Sequence, residues 1–121
     1  MASKKTLVLG ASLKSNRYSN LAINKLVSFN HDVVAIGLRE GVVSGVKIET
    51  DVIDFEYIDT VTLYLNPTRQ EQYYKYIVNL NPRRVIFNPG TENPEFYKIL
   101  RQANIDMEVA CTLVLLSTNQ Y

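Results

Sequence analysis

Residues 6–20 of this 121-residue chain combine a short apolar run, a glycine and the start of a helical pattern. The run Leu7–Leu9 ends at Gly10, a small polar loop follows, and an amphipathic pattern begins near Tyr18. This order of strand, glycine turn and helix is typical of the first crossover of an open parallel sheet. At such a junction, backbone N–H groups and the positive end of the helix meet an anionic ligand. The sequence therefore predicts a binding loop at Gly10–Ser19.

The rest of the chain continues the alternation of strand and helix patterns. Strands are predicted at Thr6–Leu9, His31–Gly37, Asp59–Leu65, Arg84–Asn88 and Ile105–Val109. The third of these is rich in β-branched and aromatic residues, which favour strands. The alternation predicts an α/β fold, namely a doubly wound, mainly parallel five-stranded sheet with helices on both faces.

The helices are predicted from apolar periodicity and from the residues that start them. Ser19 is expected at the start of the first helix. Thr68 and Glu71 have the capping-box spacing that starts the second. Pro94, directly after Asn93, marks the start of a later helix.

Three segments have less distinctive patterns. Residues 38–44 are interpreted as a polar loop, and residues 46–52 as a short extended piece. The apolar run 111–116 is compatible with a helix or a strand, because periodicity does not distinguish the two over so short a run.

Length and charge exclude several classes of protein. A chain of this length is expected to form a single domain over residues 1–121. Its net charge of +1 provides no strong field to attract nucleic acid or a membrane surface. Cys111 is the only cysteine and His31 the only histidine, so neither a disulfide within the chain nor a zinc site is expected.

The same reasoning gives an expectation about location. No apolar stretch approaches the roughly 20 residues that cross a bilayer. Residues 1–5 lead into an apolar run that is too short for a signal peptide. We therefore expect a soluble cytoplasmic protein with no membrane partner.

The loop after the first strand carries residue types that bind phosphate. It supplies two small residues, two hydroxyls and two cations: Gly10, Ala11, Ser12, Ser19, Lys14 and Arg17. Arg17 can bind a phosphate through two N–H groups. The same residues also suit an ordinary strand-to-helix turn with solvated cations, so both interpretations stay open. The sequence contains neither G-x-G-x-x-G nor G-x-x-x-x-G-K-[ST].

The loop after the second strand bears on the type of ligand. An NAD site usually places an acidic residue there, to hold the ribose hydroxyls. Here Gly37 stands at that place, and Arg39 follows. Arg39 is either a solvated loop residue or a contact for a phosphate on the ribose, as in NADP or CoA.

The third and fourth strands end in similar sequences at the same edge. Asn66 and Pro67 follow one strand, and Asn88, Pro89 and Gly90 follow the other. These residues are candidates for ligand contacts, although asparagine and proline also serve to close their own turns.

Three tyrosines lie close together in the second helix. Helical spacing places Tyr73 and Tyr76 on the inner face and Tyr74 on the surface. An exposed aromatic residue is a candidate for a subunit contact, so a homodimer is one expectation.

Taken together, these segments resemble the small stand-alone CoA-binding domain proteins. Those proteins are Rossmann-like and similar to the N-terminal domain of the succinyl-CoA synthetase alpha subunit. The resemblance covers about residues 6–116. It depends on segments 8–12, 16–19, 59–67, 90–93 and 105–111 in this order and spacing.

The resemblance implies CoA or acyl-CoA as the ligand. It implies contacts to the diphosphate and a nearby phosphate from Gly10, Ala11, Ser12, Arg17 and Ser19. It also implies that the residues after the second strand lie near the adenosine. Ligase activity is not implied, because the synthetases add a second domain and a phosphorylated histidine that have no counterpart here.

Three functions follow as hypotheses. The first is a module that binds CoA or a related nucleotide without catalysis, because no nucleophile–base pair is evident. The second is an NAD(P)-dependent Rossmann-type enzyme, for which Glu92 and Cys111 are the candidates for an acid, base or nucleophile. The third is a dimeric interaction protein with a vestigial ligand site.

Overall fold

A computed structural model describes residues 3–121. The first two residues, which belong to the segment considered for a signal peptide, lie outside it. The strands are β1 (Thr6–Ala11), β2 (Val33–Gly37), β3 (Gly41–Val43), β4 (Val46–Glu49), β5 (Thr60–Leu63), β6 (Arg84–Phe87) and β7 (Asp106–Val109). The helices are α1 (Tyr18–Ser28), α2 (Pro67–Gln70), α3 (Tyr74–Leu80), α4 (Pro94–Gln102) and α5 (Thr112–Ser117), with a 3-10 turn at Glu71–Tyr73 between α2 and α3. Across residues 3–121, no helix is long and apolar enough to span a bilayer.

The strands form one sheet in the order β3-β4-β2-β1-β5-β6-β7. All neighbouring pairs are parallel except β3 and β4, which are antiparallel. The predicted α/β architecture is therefore confirmed, but the predicted number of five strands is wrong, because the sheet has seven.

The two additional strands form a hairpin at one edge of the sheet. It occupies part of the predicted polar loop and the predicted extended piece. Val43 pairs with Val46 across a two-residue turn, in which Ser44 and Gly45 have φ angles of 49° and 77°. Positive φ at both central residues is typical of the tight turns that match strand twist. Strands of three and four residues are too short to show clear periodicity.

Helices cover both faces of the sheet, as predicted. Successive residues of β1 alternate between two buried clusters. Leu7 and Leu9 pack in the cluster that includes Ile77 of α3 and Phe96 of α4. Val8 packs in the other cluster, with residues of α1 and α5. The run 111–116, which was compatible with either structure, contains most of helix α5.

Helix α2 begins two residues earlier than the capping-box pattern suggests. The Asn66 side-chain oxygen accepts a hydrogen bond of 3.0 Å from the backbone N–H of Arg69, and Pro67 is the first helical residue. Asn66 has the extended backbone that a cap requires, with φ −66° and ψ 163°. The prediction that Thr68 caps this helix is therefore wrong.

The other two predicted helix starts differ in outcome. Asn93 caps α4 as its position before Pro94 suggests, and its side-chain oxygen accepts a bond of 3.3 Å from the backbone N–H of Phe96. Arg17, and not Ser19, occupies the N-cap position of helix α1. Ser19 is instead buried in the first turn.

Helices α2 and α3 form the crossover from β5 to β6, here called the second crossover. Its three clustered tyrosines, Tyr73, Tyr74 and Tyr76, are all half-buried, so the prediction of an exposed Tyr74 is wrong. The rings of Tyr74 and Phe96 stack with centroids 4.4 Å apart. The Tyr74 hydroxyl also accepts a hydrogen bond of 2.8 Å from the side chain of Asn93. The 3-10 turn before α3 breaks the regular helical spacing on which the prediction depended. The homodimer stays a prediction.

Candidate functional site

A groove of about 850 Å³ opens at the carboxyl edge of the sheet, where β1, β2 and β5 end. Strand β1 lies between β2 on one side and β5 on the other, so the order of the strands reverses at this place. In open α/β sheets, ligands bind at such a reversal. The groove also has the size of ordinary cofactor sites, which measure roughly 300–1,000 Å³.

The structure brings most of the predicted binding residues into this groove. Those that line it are Gly10, Ala11, Ser12, Lys14, Arg17, Ser19, Gly37 and Arg39. The residues predicted at the ends of the third and fourth strands do not line it: Asn66, Pro67, Asn88 and Gly90. The groove is therefore built from the first crossover, the end of β2 and the start of the second crossover.

The glycines of the groove are required by the approach of neighbouring strands. Gly10 lies within β1, at an irregularity of the register, and has a φ of 96°. A Cβ atom there would lie 2.7 Å from the carbonyl oxygen of Tyr64. A Cβ atom at Gly37 would lie 2.2 Å from the carbonyl oxygen of Ala11. These glycines keep the strand ends close together, which is a structural role that phosphate binding does not require.

A chain of side-chain hydrogen bonds holds the first loop. The Asn20 amide donates to the carbonyl oxygen of Ser12 at 2.9 Å, and the Asn24 amide donates to the side-chain oxygen of Asn20 at 2.9 Å. The Ser44 hydroxyl donates to the side-chain oxygen of Asn24. This series of hydrogen bonds connects the loop, α1 and the β3–β4 hairpin. It therefore fixes the loop relative to two separate elements.

The N-terminus of α1 is open to the groove. Arg17 is the cap residue, but its side chain makes no capping hydrogen bond, and no acidic residue lies in the first turn. The first N–H groups of this helix therefore have no side-chain acceptor. Together with the helix dipole, they form a place suited to an anion.

The charge at the groove has one sign. The charged residues that line it are Lys14, Arg17, Arg39 and Arg69, and all four are exposed. Within residues 3–121, no Asp or Glu lines the groove, and none of these cations is in an ion pair. Four neighbouring cations without counter-ions favour an anionic ligand.

The asparagines at the ends of β5 and β6 bind protein groups instead. Asn66 caps α2, as described above. Asn88 is 2% exposed, and its amide donates to the Thr62 hydroxyl and the Leu63 carbonyl oxygen at 2.7 and 2.9 Å. Its side-chain oxygen accepts a bond of 2.9 Å from the backbone N–H of Thr112. Asn88 therefore connects β5 to the start of α5.

The turn after β6 is closed by its own residues. Gly90 has a φ of 91°, and its N–H donates to the Glu92 carboxylate at 2.8 Å. Glu92 is therefore bound within this turn. Neither Glu92 nor Cys111 lines the groove.

Tyr64 forms part of the groove lining, while its hydroxyl lies buried beneath. That hydroxyl has no hydrogen-bond partner within residues 3–121. Burial raises the pKa of Tyr64 to about 12, and the nearby hydroxyls of Thr112 and Thr62 offset only part of this effect. The phenol therefore stays protonated at neutral pH.

Sequence reasoning missed several residues of the lining. They are Leu13, Asn16, Tyr18, Ile36, Leu38, Tyr64, Leu65, Arg69 and Tyr73. Arg69 is the charged member of this set, and it follows the predicted strand exit at Asn66 by three residues. That position at the binding edge was the signal that could have identified it.

Comparison with models of protein families matches residues 4–117 to the CoA binding domain. The chain belongs to the CoA-binding domain family. Membership of this family supports CoA binding in general, with a small molecule as the ligand. The resemblance inferred from the sequence is therefore confirmed. Among proteins with a curated description, none matches this chain.

Solved structures share the fold of this CoA-binding domain. A crystal structure of a protein described as uncharacterized is 46% identical, with a TM-score of 0.97 and coverage of 100% of both chains. A hypothetical protein from Pyrococcus horikoshii OT3 is 26% identical, with a TM-score of 0.86 over 96% of this chain and 83% of that chain. A structure from Thermus thermophilus is 21% identical, with a TM-score of 0.85 over 98% and 91%, and shows the likeness in fold alone.

Proposed function

We propose that this chain binds CoA, or an acyl thioester of CoA, in the groove at the ends of β1, β2 and β5. The observation that carries the proposal is the set of four unpaired cations around the groove: Lys14, Arg17, Arg39 and Arg69. CoA carries a diphosphate and a 3′-phosphate, and these anionic groups would balance the charge of such a groove. Membership of the CoA-binding domain family supports the same ligand.

In this proposal the diphosphate would lie at the open N-terminus of α1. There it would meet free backbone N–H groups and the guanidinium of Arg17, which can bind two phosphate oxygens at once. The backbone of Gly10 and Ala11 lines the groove beside this place. Arg39 lines the groove beyond the end of β2 and would contact the 3′-phosphate near the adenosine.

Binding without catalysis is the second part of the proposal. Within residues 3–121, the groove lining contains no Asp, Glu, His or Cys side chain. Glu92 and Cys111, the candidates for chemistry at this edge, lie outside the lining. No carboxylate, imidazole or thiol of the described lining is therefore at hand to act as a general base or a nucleophile, which supports binding without catalysis.

Calorimetric titration of CoA into the parent chain and Arg17→Ala tests the proposal. Loss of a charge-assisted, bidentate contact between Arg17 and the phosphate should weaken CoA binding by about 1.5–3 kcal/mol, or roughly 10- to 150-fold. Arg101→Ala is the matched control, because Arg101 is an exposed arginine of α4 outside the groove. A parent chain that does not bind CoA would contradict the proposed function. Equal affinity in the parent and Arg17→Ala would contradict the placement of the diphosphate.

A further inference from the structure

Arg69 and Arg17 reach the groove from opposite faces of the sheet. Arg17 caps α1, which packs on one face, and Arg69 lies in α2, which leads into α3 on the other face. Strands β1 and β5, whose ends precede these helices, are parallel neighbours. Neighbouring strands lie about 4.8 Å apart, so the segments that carry the two arginines leave the sheet at adjacent strand ends.

The backbone that carries Arg69 is held by several hydrogen bonds. The backbone N–H of Arg69 donates a hydrogen bond of 3.0 Å to the side-chain oxygen of Asn66, the N-cap residue. The next residue, Gln70, is fully buried, and its amide donates to the carbonyl oxygens of Leu65 and Thr91 at 2.8 and 2.7 Å. The position of Arg69 relative to the end of β5 is therefore well fixed, while its side chain is exposed at the groove.

The arrangement gives Arg69 no obvious structural purpose within the described residues. Its guanidinium is in none of the ion pairs of residues 3–121. Arg69 and Arg17 line the same groove, where no carboxylate of the described residues offsets their like charges, and an anion bound between them would relieve that repulsion. A guanidinium offers a planar set of donors that matches phosphate oxygens.

We propose that Arg69 and Arg17 hold the diphosphate of the bound nucleotide between them, one from each face of the sheet. This inference rests on the proposed function and assigns a binding role to a residue of the second crossover. The strand order places Arg39 on the other side of β1, away from Arg69. In this proposal Arg39 therefore binds the 3′-phosphate, and Arg69 and Arg17 bind the diphosphate.

The test compares Arg69→Gln, Arg39→Gln and Arg101→Gln with the parent chain, using CoA and dephospho-CoA. Arg69→Gln should lose about tenfold or more in affinity for both ligands, because both contain the diphosphate. Arg39→Gln should lose affinity for CoA but not for dephospho-CoA, which lacks the 3′-phosphate. Arg101→Gln should bind both ligands like the parent. Inorganic diphosphate should raise the melting temperature of the parent more than that of Arg69→Gln.

Three results would overturn the assignment of Arg69. One is parental affinity of Arg69→Gln for both ligands, and another is a loss seen with CoA but absent with dephospho-CoA. The third is a loss confined to CoA thioesters with an acidic acyl group, which would place Arg69 at the acyl end. Failure of the parent to bind CoA contradicts the proposed function instead. The role of Arg69 as a diphosphate contact would survive that result if inorganic diphosphate still stabilised the parent but not Arg69→Gln.

Discussion

His31 is a buried histidine that precedes β2 and takes no part in the groove. Its ring centroid lies 4.9 Å from that of Tyr121, and its Nδ1 accepts a hydrogen bond of 3.0 Å from the backbone N–H of Lys4. Its Nε2 is buried without a partner among residues 3–121. Burial lowers the pKa of His31 below its ordinary value of 6.5, and the charges of Lys4 and Arg84 lower it further. The folded chain therefore favours the neutral imidazole.

Acid should destabilise the chain through this residue. The unfolded chain takes up a proton near pH 6.5, and the folded chain resists it until lower pH. The contribution of His31 to the free energy of unfolding is therefore fully present above pH 6.5 and is lost as the pH falls below it. Protonation of this single group changes the free energy of unfolding by at most about 1.4 kcal/mol per pH unit.

Urea unfolding of the parent and of His31→Phe, between about pH 7.5 and pH 5.5, measures that slope. The phenylalanine keeps an aromatic ring beside Tyr121 and cannot take up a proton. We expect a flatter pH dependence in His31→Phe, and the same in His31→Gln. Indistinguishable slopes in the parent and both variants would contradict a role of His31 in acid sensitivity.

At the residue scale, sequence alone indicates which residues lie together when those residues are contiguous. The first loop supplies Ser12, Lys14 and Arg17 from one short segment, so their meeting in one groove needed no knowledge of the fold. Arg69 joins them because β5 lies beside β1, a pairing of segments far apart in the sequence. Asn88 shows the same limit, since its buried partners come from β5 and α5.

Helix α2 offers a matched pair of substitutions at the element scale. Asn66→Ala removes the side-chain acceptor for the backbone N–H of Arg69 and should lower the free energy of unfolding by about 0.5–2 kcal/mol. Thr68 is exposed inside the helix, so Thr68→Ala should change that energy by less than about 0.5 kcal/mol. Chemical denaturation of both variants measures the difference. A larger loss in Thr68→Ala would support the capping box that the structure does not contain.

The elements themselves were predictable to different degrees. Strands β1, β2, β5 and β6 are short runs of mainly apolar or β-branched residues, β7 alternates acidic and apolar residues, and all five were predicted with errors of a few residues. Strand β3 was missed although Ser44-Gly45 between valines is a turn signal, whereas β4 lies within the predicted extended piece. Residues 38–44 were interpreted as a loop because few of them are apolar and because β3, at the edge of the sheet, buries little of its surface.

For the molecule as a whole, the groove depends on strand order more than on any one motif. The reversal at β1 brings together the ends of three strands that come from different parts of the chain. A ligand that bridges them should stabilise the entire fold, because it binds the native state and not the unfolded chain. Thermal unfolding with CoA, acetyl-CoA, dephospho-CoA, NAD, NADP and ATP measures this stabilisation.

We expect CoA to give the largest shift, with a smaller shift for dephospho-CoA. A ligand at 100 times its dissociation constant adds about 2.7 kcal/mol, which corresponds to several degrees in a domain of this size. A shift with NAD or NADP alone would contradict CoA as the ligand and favour the oxidoreductase hypothesis. The absence of any shift would favour the interaction protein.

The hydrogen-bonded series Ser12, Asn20, Asn24 and Ser44 affects how a ligand would be captured. A loop already tied to a helix and to a hairpin has little motion left to lose when its ligand arrives. Recognition should therefore approach a rigid lock-and-key fit rather than an induced fit, with a small entropic penalty from the protein. The remote hairpin, although it lies at the edge of the sheet, thereby contributes to the readiness of the binding loop.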